Sequence, residues 1–220
     1  MNHPTHMQTA MRFDFSRLLA WWLVTDEPRI TKSSTDDYAN KYFEPGSVGY
    51  GFSLHTFFPP AEADIEQQRP DAVADPMIRS KGIIRNAGGW RHICNSDYTL
   101  RRDNVCTGHM EAILDCFPEA YRGAVWAMQQ GFKFVPHIDF PNNETYRMHI
   151  VLQTNPKAFF QIGEETFHMP ASNRIWMINT GDHIHTAWNS GKTDRIHIHW
   201  QMPIDTWDKY VTQDRWIHFA

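Results

Sequence analysis

The chain has 220 residues, of which 41% are hydrophobic and 14% are aromatic. This is enough apolar material for the core of a folded domain, and we expect residues 1–220 to form a single domain. The net charge of -4, without a cluster of lysine and arginine, argues against a nucleic-acid-binding protein. The N-terminus lacks a basic segment followed by a long apolar run, and the most apolar piece has only seven residues, so we expect neither secretion nor a membrane span.

The cysteine content indicates the redox environment. Three cysteines, Cys94, Cys106 and Cys116, cannot all pair within one chain, and none forms a CxxC motif. Free thiols are typical of a reducing compartment. We therefore predict a cytoplasmic protein.

The first 76 residues predict short elements and one long loop. The apolar run LLAWWLV fits either a buried strand or a short helix, because it is too short to show a period. The mixture of Gly, Phe and Tyr over residues 42–58 suggests short strands that end at Pro59-Pro60. The acidic segment 61–76 contains further prolines and predicts a loop, which in an enzyme could act as a lid.

A helix is clearest at residues 107–117. Its apolar residues share one helical face: Met110, Ile113, Leu114 and Phe117. Pro118 follows directly and is expected to end the helix. The same spacing recurs downstream at Tyr121, Ala124, Val125 and Met128. A second helix there would conflict with the strand that a barrel needs near residues 123–129, and both alternatives stay open.

Strand-length runs dominate the chain after Gly131. They are FKFVPHIDF, YRMHIVLQT, KAFFQIG, NRIWMINT, HIHTAWN and RIHIHWQM. The runs are rich in aromatic and β-branched residues and are separated by turn clusters such as PNNE and NSGKTD. Six strands in so short a span predict a β-barrel or a double-sheet roll. In the last run Arg195, His197 and His199 alternate with apolar residues, so one face is apolar and the other lines something polar.

A candidate metal site lies in the same region. His137 and Asp139 flank one residue on a predicted strand, so both side chains share a face and offer two adjacent positions to a metal. A third ligand must come from a distant strand, where His183 and His185 are the candidates. Two histidines and one carboxylate form the facial triad of non-haem Fe(II) oxygenases. Arg195 can form a bidentate pair with a dicarboxylate cosubstrate bound to such a metal.

These residues carry a family resemblance. The segments HID, YRMHIVLQTN, GEETFHM, HTAWN and DRIHIHW resemble the aspartyl/asparaginyl β-hydroxylase family of 2-oxoglutarate- and Fe(II)-dependent dioxygenases, which includes bacterial proline cis-hydroxylase-like enzymes. The resemblance covers roughly residues 131–202. It implies a mainly β fold, a double-stranded β-helix of the jelly-roll or cupin-like kind. The metal-binding barrel core then spans 123–203, and residues 1–122 supply strands and flanking helices that pack on it.

The resemblance also implies roles for single residues. The metal ligands become His137, Asp139 and His185, with His185 preferred over His183 because of its position in the HTAWN segment. Other histidines are expected to be hydrogen-bonded interior residues rather than ligands. These are His168, His183, His197 and His199.

The cosubstrate contacts follow in the same way. The resemblance implies that Arg147 and His149 contact 2-oxoglutarate and that Arg195 holds its distal carboxylate. Arg147 also fits an ordinary salt bridge, and that alternative stays open.

The activity implied is oxidative. A bound Fe(II) with 2-oxoglutarate and O2 would hydroxylate an amino acid, free or within a peptide, of the aspartyl/asparaginyl or prolyl type, and release succinate and CO2. We expect the substrate at the barrel mouth, near Arg85, Asn86 or Trp90. Two alternatives remain: a cupin-like metalloenzyme of another reaction class that uses His183 or His197, and a non-catalytic binding module. The sequence leaves the oligomeric state open.

Overall fold

A computed structural model describes most of the chain. It covers residues 3–36, 41–56, 98–139, 144–214 and 216–217, together with the backbone of 65–66, 83–86 and 89–92. Several predictions lie outside these residues: the Pro59-Pro60 strand end, nearly all of the acidic segment 61–76, Cys94, and the side chains of Arg85, Asn86 and Trp90. Cys106 is a free thiol and is buried. No helix in the described ranges is long and apolar enough to cross a membrane.

Strands are the main element of the described chain. In chain order they are β1 (His6–Gln8), β2 (Arg12–Phe13), β3 (Ile30–Ser33), β4 (Val48–Ser53), β5 (His55–Thr56), β6 (Ile65–Glu66), β7 (Ile83–Asn86), β8 (Gly89–His92), β9 (Leu100–Arg101), β10 (Tyr121–Met128), β11 (Thr145–Gln153), β12 (Ala158–Ile162), β13 (Glu165–Phe167), β14 (Trp176–Ile178), β15 (His185–Asn189), β16 (Arg195–Pro203) and β17 (Trp216–Ile217). The helices are α1 (Leu18–Val24), α2 (His109–Asp115) and α3 (Trp207–Thr212), with a 3-10 turn at Ile204–Thr206.

Two sheets build the barrel. The main sheet has seven strands in the order β1-β14-β11-β16-β10-β4-β3, and the small sheet has the order β13-β12-β15. The segment 132–137 extends the small sheet through bridges from Lys133 to Trp188 and from His137 to His185. From β10 onward the chain therefore crosses between the sheets, so that β10, β11, β14 and β16 are interleaved with the strands of the small sheet. This is the predicted double-stranded β-helix, and the predicted mainly β fold class is confirmed.

The two faces of the main sheet have different neighbours. On the outer face, α1, α2 and α3 pack against Ile196, Ile198 and Trp200 of β16 in one apolar cluster. A second, smaller cluster lies on the inner face, where Trp126 of β10 and Phe160 of β12 pack between the two sheets. Because successive strand residues point to opposite faces, β16 supplies both environments.

The structure resolves three local predictions. LLAWWLV forms the helix α1, and the helix predicted at 107–117 is observed as α2. Residues 121–128 form strand β10 and not a second helix, because they pair with both β4 and β16. A strand buried on both faces has a continuous apolar sequence, which hides its period.

Three further points in the predicted strands and helices need correction. The run FKFVPHIDF forms only isolated bridges, and Pro136 in its centre cannot donate a ladder hydrogen bond. The short strand β13 was not predicted, because its three residues are mostly exposed and polar. Helices were predicted only from the N-terminal half, but α3 follows the barrel and covers the outer face from the C-terminal side.

Candidate metal centre

Three side chains converge at one end of the barrel. Each of His137, Asp139 and His185 offers one ligand atom, and these atoms lie within 4.8 Å of one another. The His137 Nε2 atom is 3.6 Å from Asp139 Oδ1, and the His185 Nε2 atom is 3.7 Å from Asp139 Oδ2. His183, the other candidate for the third ligand, does not join this group. Within the residues that the structure describes, this is the set with the spacing of a metal site.

The backbone holds the two imidazoles in place. His137 and His185 exchange two backbone hydrogen bonds of 3.0 and 2.9 Å, although one lies in an irregular segment and the other at the start of β15. The Nδ1 atom of His137 lies 2.7 Å from the Val135 carbonyl, and that of His185 lies 3.2 Å from the His183 carbonyl. A bonded Nδ1–H fixes the tautomer and leaves the Nε2 lone pair free for a metal.

The carboxylate is oriented by an arginine. Arg147 Nη2 donates a hydrogen bond of 2.8 Å to Asp139 Oδ1. The Nε atom of Arg147 lies 2.6 Å from Oδ2 as an ion-pair contact, without the alignment of a hydrogen bond. Burial by itself raises the pKa of Asp139, but the Arg147 guanidinium and the nearby imidazoles of His137 and His185 outweigh it and hold that pKa well below its usual range. Asp139 is therefore an anion at neutral pH.

Aromatic rings enclose the histidines. Tyr42 and Phe134 meet His137 edge-on, with ring centroids 5.4 and 5.8 Å away. Phe160 stacks on His185 at 5.7 Å with an interplanar angle of 6°. Burial lowers the pKa of His185 to about 4, partly offset by the Asp139 charge, so this imidazole is neutral at pH 7. Neutral imidazoles and a charged carboxylate are the protonation states that bind divalent metals.

The inner wall of the barrel continues with buried polar side chains. His149 of β11 and His197 of β16 are 7% and 4% exposed, and neither ring nitrogen of either residue has a hydrogen-bond partner in the described chain. Arg195 is 3% exposed, and within the described chain its guanidinium contacts two methionine sulfurs rather than a carboxylate. Burial lowers the pKa of Arg195 to about 9, so the group is still a cation at neutral pH.

The other predicted interior histidines differ in their surroundings. His168 Nδ1 lies 2.9 Å from the Ala158 carbonyl, as expected for a hydrogen-bonded interior residue. His183 is partly exposed, and its Nε2 atom is 3.9 Å from Asp182. The expectation of hydrogen bonds is wrong for His197, whose two nitrogens lack a partner among the described residues, because its neighbours across the sheet are Trp126 and Val151.

A family model decides the relationship of this chain to known proteins. The model described as aspartyl/asparaginyl beta-hydroxylase matches residues 76–203, which is more than half of the chain. The chain belongs to this family. It is therefore a hydroxylase of the 2-oxoglutarate-dependent class, as the sequence resemblance implied. A search of curated protein sequences gave no match.

Solved structures resemble this β-hydroxylase family member only distantly. A 2OG-Fe(II) oxygenase family oxidoreductase from Burkholderia pseudomallei has 9% identity and a TM-score of 0.46, over 86% of this chain and 77% of that chain. A predicted oxalate decarboxylase from Thermotoga maritima has 15% identity and a TM-score of 0.32, over 42% and 72%. A Pseudomonas putida prolyl-4-hydroxylase has 11% identity and a TM-score of 0.31, over 42% and 59%. These scores are too low to carry a functional argument.

Sequence reasoning about this family member missed three features of the centre. Tyr42 lies 95 positions before His137, and no spacing pattern connects them. The pairing of Arg147 with Asp139 was considered only as a general salt bridge. The unpartnered nitrogens of His197 depend on the residues that face it from other strands, although the alternation along β16 correctly placed the side chain on the inner face.

Proposed function

We propose that this protein hydroxylates an amino acid, free or within a peptide, with Fe(II) as metal, 2-oxoglutarate as cosubstrate and O2 as oxidant. The observation that carries the proposal is the convergence of His137, Asp139 and His185, with both Nε2 atoms aimed at the carboxylate and both Nδ1 atoms bonded to backbone carbonyls. Two imidazoles and one carboxylate on one side of a metal leave three positions for other ligands. Succinate and CO2 are the expected coproducts.

The donor set fits Fe(II). When bound, the metal would supply O2 activation and the oxidation of a C–H bond, chemistry that protein side chains do not provide. The chain itself supplies geometry. Arg147 fixes the orientation of the Asp139 carboxylate, and the backbone carbonyls fix the two rings. The rings of Tyr42 and Phe134 pack against His137 and limit its exposure to 19%.

Arg195 is the candidate partner for the distal carboxylate of the cosubstrate. A guanidinium can bind a carboxylate bidentately, and a buried cation without an anion is unfavourable. Arg195 lies on the inner face of β16, on the same strand as His197 and His199. His149 lies between this region and the triad, since its ring contacts both Phe160 and His197. These positions support the predicted roles of Arg195 and His149, whereas Arg147 is engaged by Asp139.

The same family membership supports an amino-acid or peptide substrate. We also place the enzyme in the cytoplasm, because the free thiol of Cys106 suits a reducing compartment.

The decisive experiment measures metal binding and succinate release together. With Fe(II), 2-oxoglutarate and a panel of free amino acids and short peptides, wild-type protein should release succinate in a substrate-dependent manner. Asp139→Ala should lower metal affinity by more than about 100-fold, since loss of even an outer partner of a metal ligand costs 10- to 100-fold. Arg147→Met, which removes such a partner, should weaken metal binding by about 10- to 100-fold.

Asp182→Ala is the matched control, because Asp182 is an exposed carboxylate near a non-ligand histidine. It should leave metal binding unchanged. Metal binding without any binding of 2-oxoglutarate would favour a cupin-like enzyme of another reaction class. Unchanged metal affinity in Asp139→Ala would refute the proposed centre.

A further inference from the structure

His197 occupies a position that packing alone does not explain. It lies on β16 two residues from Arg195 and on the same inner face, opposite Trp126 on one side and Val151 on the other. The residue is 4% exposed, and neither Nδ1 nor Nε2 has a hydrogen-bond partner in the described part of the chain. An unsatisfied buried polar atom is costly, and most native structures avoid it. A residue with two such atoms calls for a partner from outside the chain.

The guanidinium next to it has a similar need. Arg195 Nη1 is 3.1 Å from the sulfur of Met128, and Nη2 is 3.5 Å from the sulfur of Met169. A thioether is a weak acceptor and carries no charge, so these contacts leave the cation uncompensated. The inner face of β16 therefore carries, two residues apart, a cation without an anionic partner and an imidazole without a hydrogen-bond partner in the described chain.

The His197 ring is suited to an anion even though it is uncharged. Burial lowers the pKa of His197 well below its usual range, and the Arg195 charge lowers that pKa further. A neutral imidazole keeps one N–H donor and adds no second positive charge beside the guanidinium. A hydrogen bond to a charged acceptor is stronger than one between neutral groups, particularly in a buried site.

We propose that His197 donates a hydrogen bond to the distal carboxylate of the cosubstrate, the same carboxylate that pairs with Arg195. This inference rests on the proposed function, in which Arg195 takes that carboxylate. It makes His197 a specificity residue: the pair Arg195 and His197 selects 2-oxo acids that carry a second carboxylate. A site whose buried donors lose their acceptor strongly disfavours the ligand that lacks it.

Among the neighbouring histidines, His149 also lacks partners for both nitrogens, but it lies on β11 and its ring contacts Phe160, which stacks on the candidate ligand His185. The other two differ from His197 in their partners or position. His168 has already bonded its Nδ1 to the Ala158 carbonyl. His199 is partly buried and lies two residues further from Arg195, opposite Ala124 and His149. His199 therefore offers a matched control on the same strand and the same face.

The test compares two ligands that differ only in the distal group. Anaerobic calorimetry on Mn(II)-loaded protein gives the affinities for 2-oxoglutarate and for 2-oxopentanoate, which has the same carbon chain but no second carboxylate. We expect His197→Phe to weaken 2-oxoglutarate binding by about 10- to 100-fold, the range for loss of a bond to a charged group. The affinity for 2-oxopentanoate should stay within about threefold, because the lost bond concerns only the distal carboxylate.

Further variants distinguish the effect of the N–H donor from the effect of the ring shape at position 197. His197→Gln keeps an N–H donor and should retain the preference for the dicarboxylate, whereas His197→Leu should lose it as His197→Phe does. His199→Phe should leave the ratio of the two affinities unchanged. If His197→Phe does not fold, the Leu and Gln variants still decide the question.

The outcomes also separate this inference from the proposed function. Wild-type protein that does not bind 2-oxoglutarate, or binds 2-oxopentanoate equally well, overturns the cosubstrate assignment itself. Wild-type selectivity that persists in both His197→Phe and His197→Leu overturns only the role of His197. If these variants lose affinity for 2-oxoglutarate and 2-oxopentanoate equally, the effect is structural, and the role of His197 is again overturned.

Discussion

The two faces of β16 show how one strand serves both stability and function. On the outer face Ile196, Ile198 and Trp200 are fully packed against the helices in an apolar cluster. On the inner face Arg195 and His197 are as deeply buried, but their polar groups have no oxygen acceptor within the described chain. Both faces are therefore deeply buried. The outer face is apolar except for the indole N–H of Trp200, which has no partner in the described chain, whereas the inner face carries a cation and an imidazole without an oxygen acceptor.

The outer face is stabilised by contacts within the chain, whereas the polar groups of the inner face need a bound ligand as their partner. Apolar burial stabilises the fold in proportion to the area removed from water and needs no external partner. Buried donors and a buried cation lower stability until an acceptor arrives. We expect substitutions on the outer face to change folding, and substitutions on the inner face to change binding.

The largest expected effect comes from the outer face. Trp200 is fully buried, and its ring centroid is 5.3 Å from that of Phe117. Trp200→Ala should lower the free energy of unfolding by about 3–5 kcal/mol, since it leaves a large cavity. Urea denaturation measures this change. Trp200→Phe, which keeps an aromatic ring, is the control and should cost clearly less. An Ala variant as stable as the Phe variant would contradict the packed outer face.

A buried histidine outside the barrel wall tests the cost of charging an imidazole. His55 Nδ1 accepts a 2.8 Å hydrogen bond from the Gly123 N–H, and burial lowers the pKa of His55 to about 4. The unfolded chain, with an ordinary pKa near 6.5, binds this proton first, so stability present above pH 6.5 is lost as the pH falls towards 4. The contribution of His55 over this window is about 3 kcal/mol.

His55→Asn keeps an acceptor and cannot titrate. Its denaturation free energy should therefore fall less steeply than that of the wild type between pH 6.5 and 4. Parallel profiles for the two proteins would show that His55 is not a buried neutral group.

On the inner face, a substitution is expected to leave the free energy of unfolding unchanged or to raise it when no ligand is bound. Arg195→Met should leave the unliganded protein equally or more stable, because it removes a buried cation whose contacts are thioether sulfurs. A saturating ligand at 100 times its Kd stabilises a protein by about 2.7 kcal/mol, and this gain from 2-oxoglutarate should vanish in the variant. Denaturation of the metal-loaded protein with and without ligand measures both terms.

Arg174→Met provides the control for removal of an arginine, since Arg174 bonds the Thr9 carbonyl away from the triad. It should keep the full stabilisation by ligand. Strong destabilisation of unliganded Arg195→Met would mean that the guanidinium is needed for folding and not kept for an anion.

The smallest effect is expected for a partly exposed ion pair on the surface. Lys209 pairs with Glu119 at 2.6 Å, and the two side chains are 41% and 32% exposed. Exposed ion pairs contribute about 0–1 kcal/mol, so Lys209→Ala should change the unfolding free energy by less than about 1 kcal/mol. The difference should shrink further in high salt. A larger loss would place part of the stability of the outer face in polar contacts.

Local sequence patterns are enough to predict much of the fold and the residues of the candidate site. The alternation along β16 has a period of two, so it fixed which residues share a face before any partner strand was known. Strand-length runs between turn clusters gave the mainly β class, and the family motifs singled out His137, Asp139 and His185. Local pattern is sufficient here because side-chain direction in a strand follows from the backbone alone.

Other features became visible only in the folded molecule, because they depend on contacts between distant strands. It made residues 121–128 a strand, since two neighbouring strands offer hydrogen bonds that a helical spacing cannot reveal. It paired Arg147 with Asp139 and left His197 without a partner, and both results depend on distances between strands far apart in sequence. Whether a buried polar group is satisfied is a property of everything that surrounds it, and no local sequence pattern contains that information.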